Sequence, residues 1–109
     1  MAEALDGKSI YDYFMDNVSR IQSDQHFRDV MRELDEGQNE TLSLLASDPA
    51  AFLRYRGIQL PEDFRVAVKK KPHDVARPGN GGDIIIICHC IEICFLRYCA
   101  IYCSCSILR

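Results

Sequence analysis

All six cysteines of the chain fall between Cys88 and Cys105, and residues 1–87 contain none. A chain built this way has one part that thiol chemistry cannot touch and one part crowded with thiols. The intervals between Cys88, Cys90, Cys94, Cys99, Cys103 and Cys105 are one, three, four, three and one residues, the same in both directions. That symmetry points to two related halves of a compact peptide, crosslinked or heterocyclised.

Residue supply separates the chemistries open to such a segment. Thioether bridges need dehydrated hydroxyl side chains, and residues 83–109 offer only Ser104 and Ser106 and no threonine. Cyclodehydration of each cysteine onto the preceding carbonyl, or bonding of sulfur to an α-carbon, needs no such acceptor and can consume all six. Disulfides can do so too, in any of 15 pairings, after export to an oxidising compartment. Metal binding is the structural alternative, because Cys99, Cys103 and Cys105 with His89 make a soft sulfur-and-nitrogen set suited to Zn²⁺ or Cu(I). The C-x-C pairs, however, lack the glycine-bearing knuckle turns of ordinary C-x-x-C zinc sites.

Two further alternatives come from apolarity. Residues 84–103 form a mostly apolar stretch of about 20 residues, the length a membrane-spanning helix needs, although Glu92 and Arg97 within it each cost roughly 2.5–3.5 kcal/mol at the bilayer centre. Four consecutive isoleucines at 84–87 have high β propensity. As a buried strand they would place the tail beside residues 64–68 in one sheet; left exposed they would tend to aggregate.

With 109 residues the chain makes at most one ordinary domain, and the part before the cysteines buries only a modest core, which excludes a large enzyme. Residues 1–63 carry 13 acidic and six basic side chains, whereas residues 64–82 carry five basic and one acidic. The run Lys69, Lys70, Lys71 has no aromatic stacking platform beside it and reads as the solvated end of a strand, not as a nucleic-acid contact. The N-terminus lacks the basic-then-apolar layout of a secretory signal, which places the newly made chain in the cytoplasm.

Along residues 1–70, Ser9 and Asp12 resemble a capping box before Ile10, Tyr13, Phe14, Asn17, Val18 and Ile21, which recur at helical spacing over roughly 9–22. Phe27, Val30, Met31 and Leu34, then Leu42, Leu44 and Leu45, predict one long helix or two shorter ones around Gly37. Asp48-Pro49 starts a short helix that Gly57 ends. After a turn at residues 60–63, Phe64, Val66 and Val68 share one face of a strand, with Arg65 and Lys69 facing solvent. Residues 71–82, KPHDVARPGNGG, with two prolines and three glycines, read as a flexible linker and cleavage joint, and His73 within it as simply polar.

Leu44-Leu45, Asp48-Pro49-Ala50, Phe52-Leu53, Gly57-Ile58 and Leu60-Pro61-Glu62, followed by the alternating strand, resemble the nitrile-hydratase-type leader peptides. These precede ribosomally synthesised, post-translationally modified peptides. The resemblance implies that the leader guides a peptide-modifying enzyme, with Leu44, Leu45, Phe52, Leu53 and Leu60 as its recognition residues. It also implies that a peptidase-containing exporter cuts after the double glycine Gly81-Gly82. The stretch from Cys99 to Cys105 resembles the metal claw of nitrile hydratase itself, but one extra residue separates its first two cysteines, which argues against hydratase activity.

The expectation is therefore a mainly α leader with one short β-strand, a small α+β unit, over 1–70. A flexible Gly/Pro joint follows at 71–82, then a cysteine-rich core peptide at 83–109 with little stable fold of its own. All six cysteines are the modification sites, no residue is catalytic and no cofactor is expected. The precursor is cytoplasmic and the mature core peptide is secreted. The alternatives are a small metal-binding protein and a C-terminal membrane anchor.

Overall fold

A computed structural model describes residues 7–75 and 84–108, with side chains described over 9–70 and 87–105. Four helices come first: α1 (Gly7–Ser23), α2 (Gln25–Asp35), α3 (Asn39–Ser47) and α4 (Pro49–Tyr55). Phe14, Val18 and Ile21 of α1, Phe27, Val30 and Leu34 of α2, and Leu45 and Leu53 of the shorter helices are buried at helical spacing and meet in one core. Asp24 caps α2 by accepting from the His26 backbone N–H at 2.9 Å. Asp48 caps α4 by accepting from the Ala51 N–H at 3.3 Å.

The helix ends repeat one device. After α2, Gly37 takes φ 73° and the Gln38 N–H donates to the Glu33 carbonyl at 3.1 Å; after α4, Gly57 takes φ 92° and the Ile58 N–H donates to the Leu53 carbonyl at 3.0 Å. Both are left-handed stops in which glycine avoids a Cβ clash. The first of them resolves the ambiguous stretch into two helices. Helix α1 starts by Gly7, which puts Ser9 inside the helix and not at its cap. Arg54 donates to the Leu60 and Pro61 carbonyls, and Arg20 to that of Gln59, fixing the path from α4 into the sheet.

Three strands follow: β1 (Arg65–Val75), β2 (Ile84–Phe95) and β3 (Tyr98–Leu108). They form one antiparallel sheet in the order β1-β2-β3, so the isoleucine-rich strand is central. Ile91, Ile93 and Phe95 join the helical core, flanked by Val66, Val68, Tyr98, Ala100 and Tyr102 from the neighbouring strands. Burying an isoleucine this fully stabilises by roughly 1.5–3 kcal/mol. The helices therefore cover one face of the sheet, α1 and α2 against β3, α3 and α4 against β1.

This architecture corrects the expected fold class. The cysteine-rich tail is not a segment with little fold of its own but two of the three strands, and it supplies core residues to the helical part. The beginning of the expected joint, residues 71–75, belongs to β1; Pro72 is accommodated there because β1 is an edge strand. Gly81 and Gly82 lie outside the described residues. Residues 84–103 do not form one helix but run through β2 and into β3. Among the described residues no helix is long and apolar enough to cross a membrane.

Candidate functional site

The register of the β2–β3 hairpin sets Cys88 opposite Cys105, Cys90 opposite Cys103 and Cys94 opposite Cys99. Each pair is a disulfide, with Cα atoms 4.0, 4.0 and 4.1 Å apart. Separations this short belong to the non-hydrogen-bonded positions of an antiparallel pair, which recur every second residue on one face. The palindromic spacing is thus the signature of a hairpin: each cysteine and its partner are equidistant from the turn at Leu96-Arg97. All six predicted modification residues are brought together, and none is left as a free thiol.

Alternation gives the hairpin two chemically opposite faces. On the outer face, rows run across the sheet through Cys88 and Cys105; Lys69, Cys90 and Cys103; Ala67, Glu92 and Ile101; and Arg65, Cys94 and Cys99. Cys88, Cys90 and Cys94 on the central strand are buried, whereas Cys99, Cys103 and Cys105 on the edge strand are exposed. Lys69 Nζ lies 3.6 Å from Glu92, and Arg65 donates to the Leu96 carbonyl at 2.6 Å, tying β1 to the turn.

The inner face carries the rows Lys70, His89, Ser104; Val68, Ile91, Tyr102; and Val66, Ile93, Ala100. Ser104 donates its hydroxyl to Asp35 at 2.6 Å, and burial raises the Tyr102 pKa. Burial, then the nearby Lys70 charge, lowers the His89 pKa from its ordinary 6.5. At the turn, aromatic rings from both parts interlock: Phe95 stacks on Phe64 with centroids 5.0 Å apart and meets Tyr13 edge-on at 5.1 Å, and Tyr98 meets Tyr11 at 5.3 Å.

The alternative metal set is not assembled. Cys99, Cys103 and Cys105 are on the outer face and engaged in disulfides, whereas His89 is on the inner face. Of the expected recognition residues, Leu45, Phe52, Leu53 and Leu60 are buried in the core, and only Leu44 is open, at 50 % exposure. With Phe52 and the strongly exposed Tyr55 it lines a shallow recess of about 430 Å³. Sequence reasoning missed the two-faced hairpin, although it allowed for the isoleucine run lying beside residues 64–68 in one sheet. The signal was present in the odd-numbered Ile91, Ile93 and Phe95 alternating with the even-numbered Cys90, Glu92 and Cys94.

Compared with protein-family models, with curated proteins and with solved structures, the chain matches none.

Proposed function

We propose that the chain is the precursor of a disulfide-laddered hairpin peptide, and that its helical part with β1 is the leader that templates and then surrenders the hairpin. The observation that carries this reading is that all three disulfides lie within β2 and β3, so no crosslink joins the hairpin to the leader. Within the chain, one cut between Val75 and Ile84 severs every covalent connection between them. The resemblance of residues 44–71 to modified-peptide leaders supports the same division, with the cut after Gly82 and a product of residues 83–109.

In this role the protein is a substrate and holds no catalytic residue or cofactor. The leader pairs β1 with β2 and seats Ile91, Ile93 and Phe95, which sets the register in which one pairing out of 15 forms. Its docking surface for the modifying enzyme is the recess beside Leu44 and Tyr55, with Leu45, Phe52, Leu53 and Leu60 maintaining that surface from within. Peptidase and exporter act on the joint, and the disulfides belong to the oxidising side. Each bond removes two protons and two electrons from a pair of thiols, and a thiol oxidant accepts the electrons.

A second reading has its own support: Ile91, Ile93 and Phe95 complete the helical core, as they would in a small disulfide-bonded protein that acts intact. Mass spectrometry of the species exported from the producing cell separates the two. A 27-residue peptide with three disulfides is expected; an exported full-length chain would establish the intact protein instead.

A further inference from the structure

We propose that the reduced hairpin binds one Zn²⁺ through Cys88, Cys90, Cys103 and Cys105. This concerns the thiol state that precedes the disulfides, and it holds whether or not the hairpin is later cut out. Every cysteine is made as a thiol, and a reducing compartment keeps it so. The placement of the sulfurs does not depend on S–S bonds alone, because β2 is also paired with β1 and anchored by the fully buried Ile91 and Ile93. The cross-strand register is therefore available to the thiols.

Spacing selects which four sulfurs share a metal. The Cys88/Cys105 and Cys90/Cys103 pairs are consecutive on one face, with Cα atoms 4.0 Å apart within each pair. At a strand rise of about 3.3 Å per residue the two pairs stand roughly 6.6 Å apart. Tetrahedral zinc at about 2.3 Å from each sulfur needs neighbouring sulfurs about 3.8 Å apart, which small tilts of side chains on adjacent pairs supply. The Cys94/Cys99 pair lies beyond the Glu92/Ile101 row, roughly 13 Å from the nearer of these pairs, and cannot share the same ion. His89 is on the opposite face.

Charge favours the same four. Lys69 is in register with Cys90 on the outer face. A positive group beside a thiol stabilises its thiolate and offsets part of the negative charge of a four-thiolate zinc site. Binding displaces four protons from four thiols and involves no change of oxidation state. It competes with disulfide formation, since a sulfur bonded to sulfur is not a thiolate ligand. A rival arrangement exists at the turn end, where donor atoms of Glu92, Cys94 and Cys99 lie within 4.8 Å of one another, but it offers three ligands, and Glu92 already faces Lys69.

The full chain, purified reduced and metal-free, is titrated with Zn²⁺ and then alkylated with iodoacetamide, and the modified positions are located by mass spectrometry. One Zn²⁺ per chain is expected, slowing alkylation of Cys88, Cys90, Cys103 and Cys105 by about tenfold or more relative to the metal-free chain and leaving Cys94 and Cys99 unchanged. Co²⁺ in place of Zn²⁺ gives the absorption of a tetrahedral four-thiolate site. The double variant Cys94→Ser, Cys99→Ser keeps that spectrum, and Cys90→Ser loses it. No uptake of either metal, or protection centred on Cys94 and Cys99 or spread evenly over all six, overturns the proposal.

Discussion

The helical part and the hairpin share a core yet are held by different means. Residues 7–63 have no covalent crosslink; their order comes from capped helix ends, apolar burial and one ion-pair hub. In that hub Arg56 donates two hydrogen bonds to Glu33, at 2.9 and 2.6 Å, and Thr41 donates a third at 2.6 Å, joining α2, α3 and the end of α4. The hairpin has three covalent rungs on one face and relies on the helices only to cover the other. Shape in the first part depends on surroundings, whereas pairing in the second survives their removal. A part that survives separation is what a released peptide requires.

The heaviest blow to this division comes from the shared core. Ile93→Ala is expected to cost about 2–5 kcal/mol and to lower the urea midpoint of both parts together, because Ile93 has no exposed surface and packs against the helices. Tyrosine fluorescence and far-UV circular dichroism should report one transition. Two separated transitions would mean that hairpin and leader do not form one cooperative unit.

Reduction comes next. The outermost disulfide closes a loop of 17 residues, and restraint of that length stabilises by roughly 3 kcal/mol, with the nested bonds adding less because their loops are already shortened. Thermal unfolding with and without reductant should show a loss of this order, and the reduced chain should keep its helices. Loss of all helical signal on reduction would show that the shared core alone does not hold the helices in place without the disulfides.

How readily each part could be read before its structure was known follows the same contrast. Helix α4 was legible because Asp48, Pro49 and Gly57 each supply a local device, and the start of β1 because Phe64, Val66 and Val68 alternate. The isoleucine run also had the marks of a strand lying beside β1. The hairpin was obscured because its turn, Leu96-Arg97, carries none of the Asn-Gly or Gly residues that announce one. Six cysteines fit a chemically modified peptide as well as a ladder. The burial of Leu45 and Leu53 is tertiary: an apolar pattern that serves a core looks the same as one that serves recognition.

Acid should weaken both parts through different groups. Hydrogen bonds from Arg56 and Thr41 lower the Glu33 pKa from 4.5 to about 2. That contribution is complete above pH 4.5 and is lost as pH falls toward 2, because the unfolded chain takes up the proton first. His89, whose pKa is lowered on folding, adds a loss that begins as pH falls below 6.5. Stability measured against pH should therefore decline in two stages. Glu33→Gln should remove the lower one, and His89→Gln the upper.

The smallest effect lies at the turn. Leu96 takes φ 54° and is mostly exposed, a left-handed conformation that costs a non-glycine residue roughly 1–2 kcal/mol. Leu96→Gly should raise the thermal midpoint modestly, a net gain of about 0.5–1 kcal/mol after the extra unfolded-state entropy of glycine. An unchanged or lower midpoint would show that Leu96 contributes packing its exposure does not suggest.

The separation of the two parts is tested most directly by nicking the oxidised full chain at a protease site placed between Val75 and Ile84. In native buffer the fragments should stay together through the β1–β2 pairing and the shared core. In denaturant without reductant they should come apart, the C-terminal fragment carrying six hydrogens fewer than its reduced mass. A C-terminal fragment that retains free thiols, or whose peptide map pairs its cysteines otherwise than Cys88–Cys105, Cys90–Cys103 and Cys94–Cys99, would contradict the self-contained ladder.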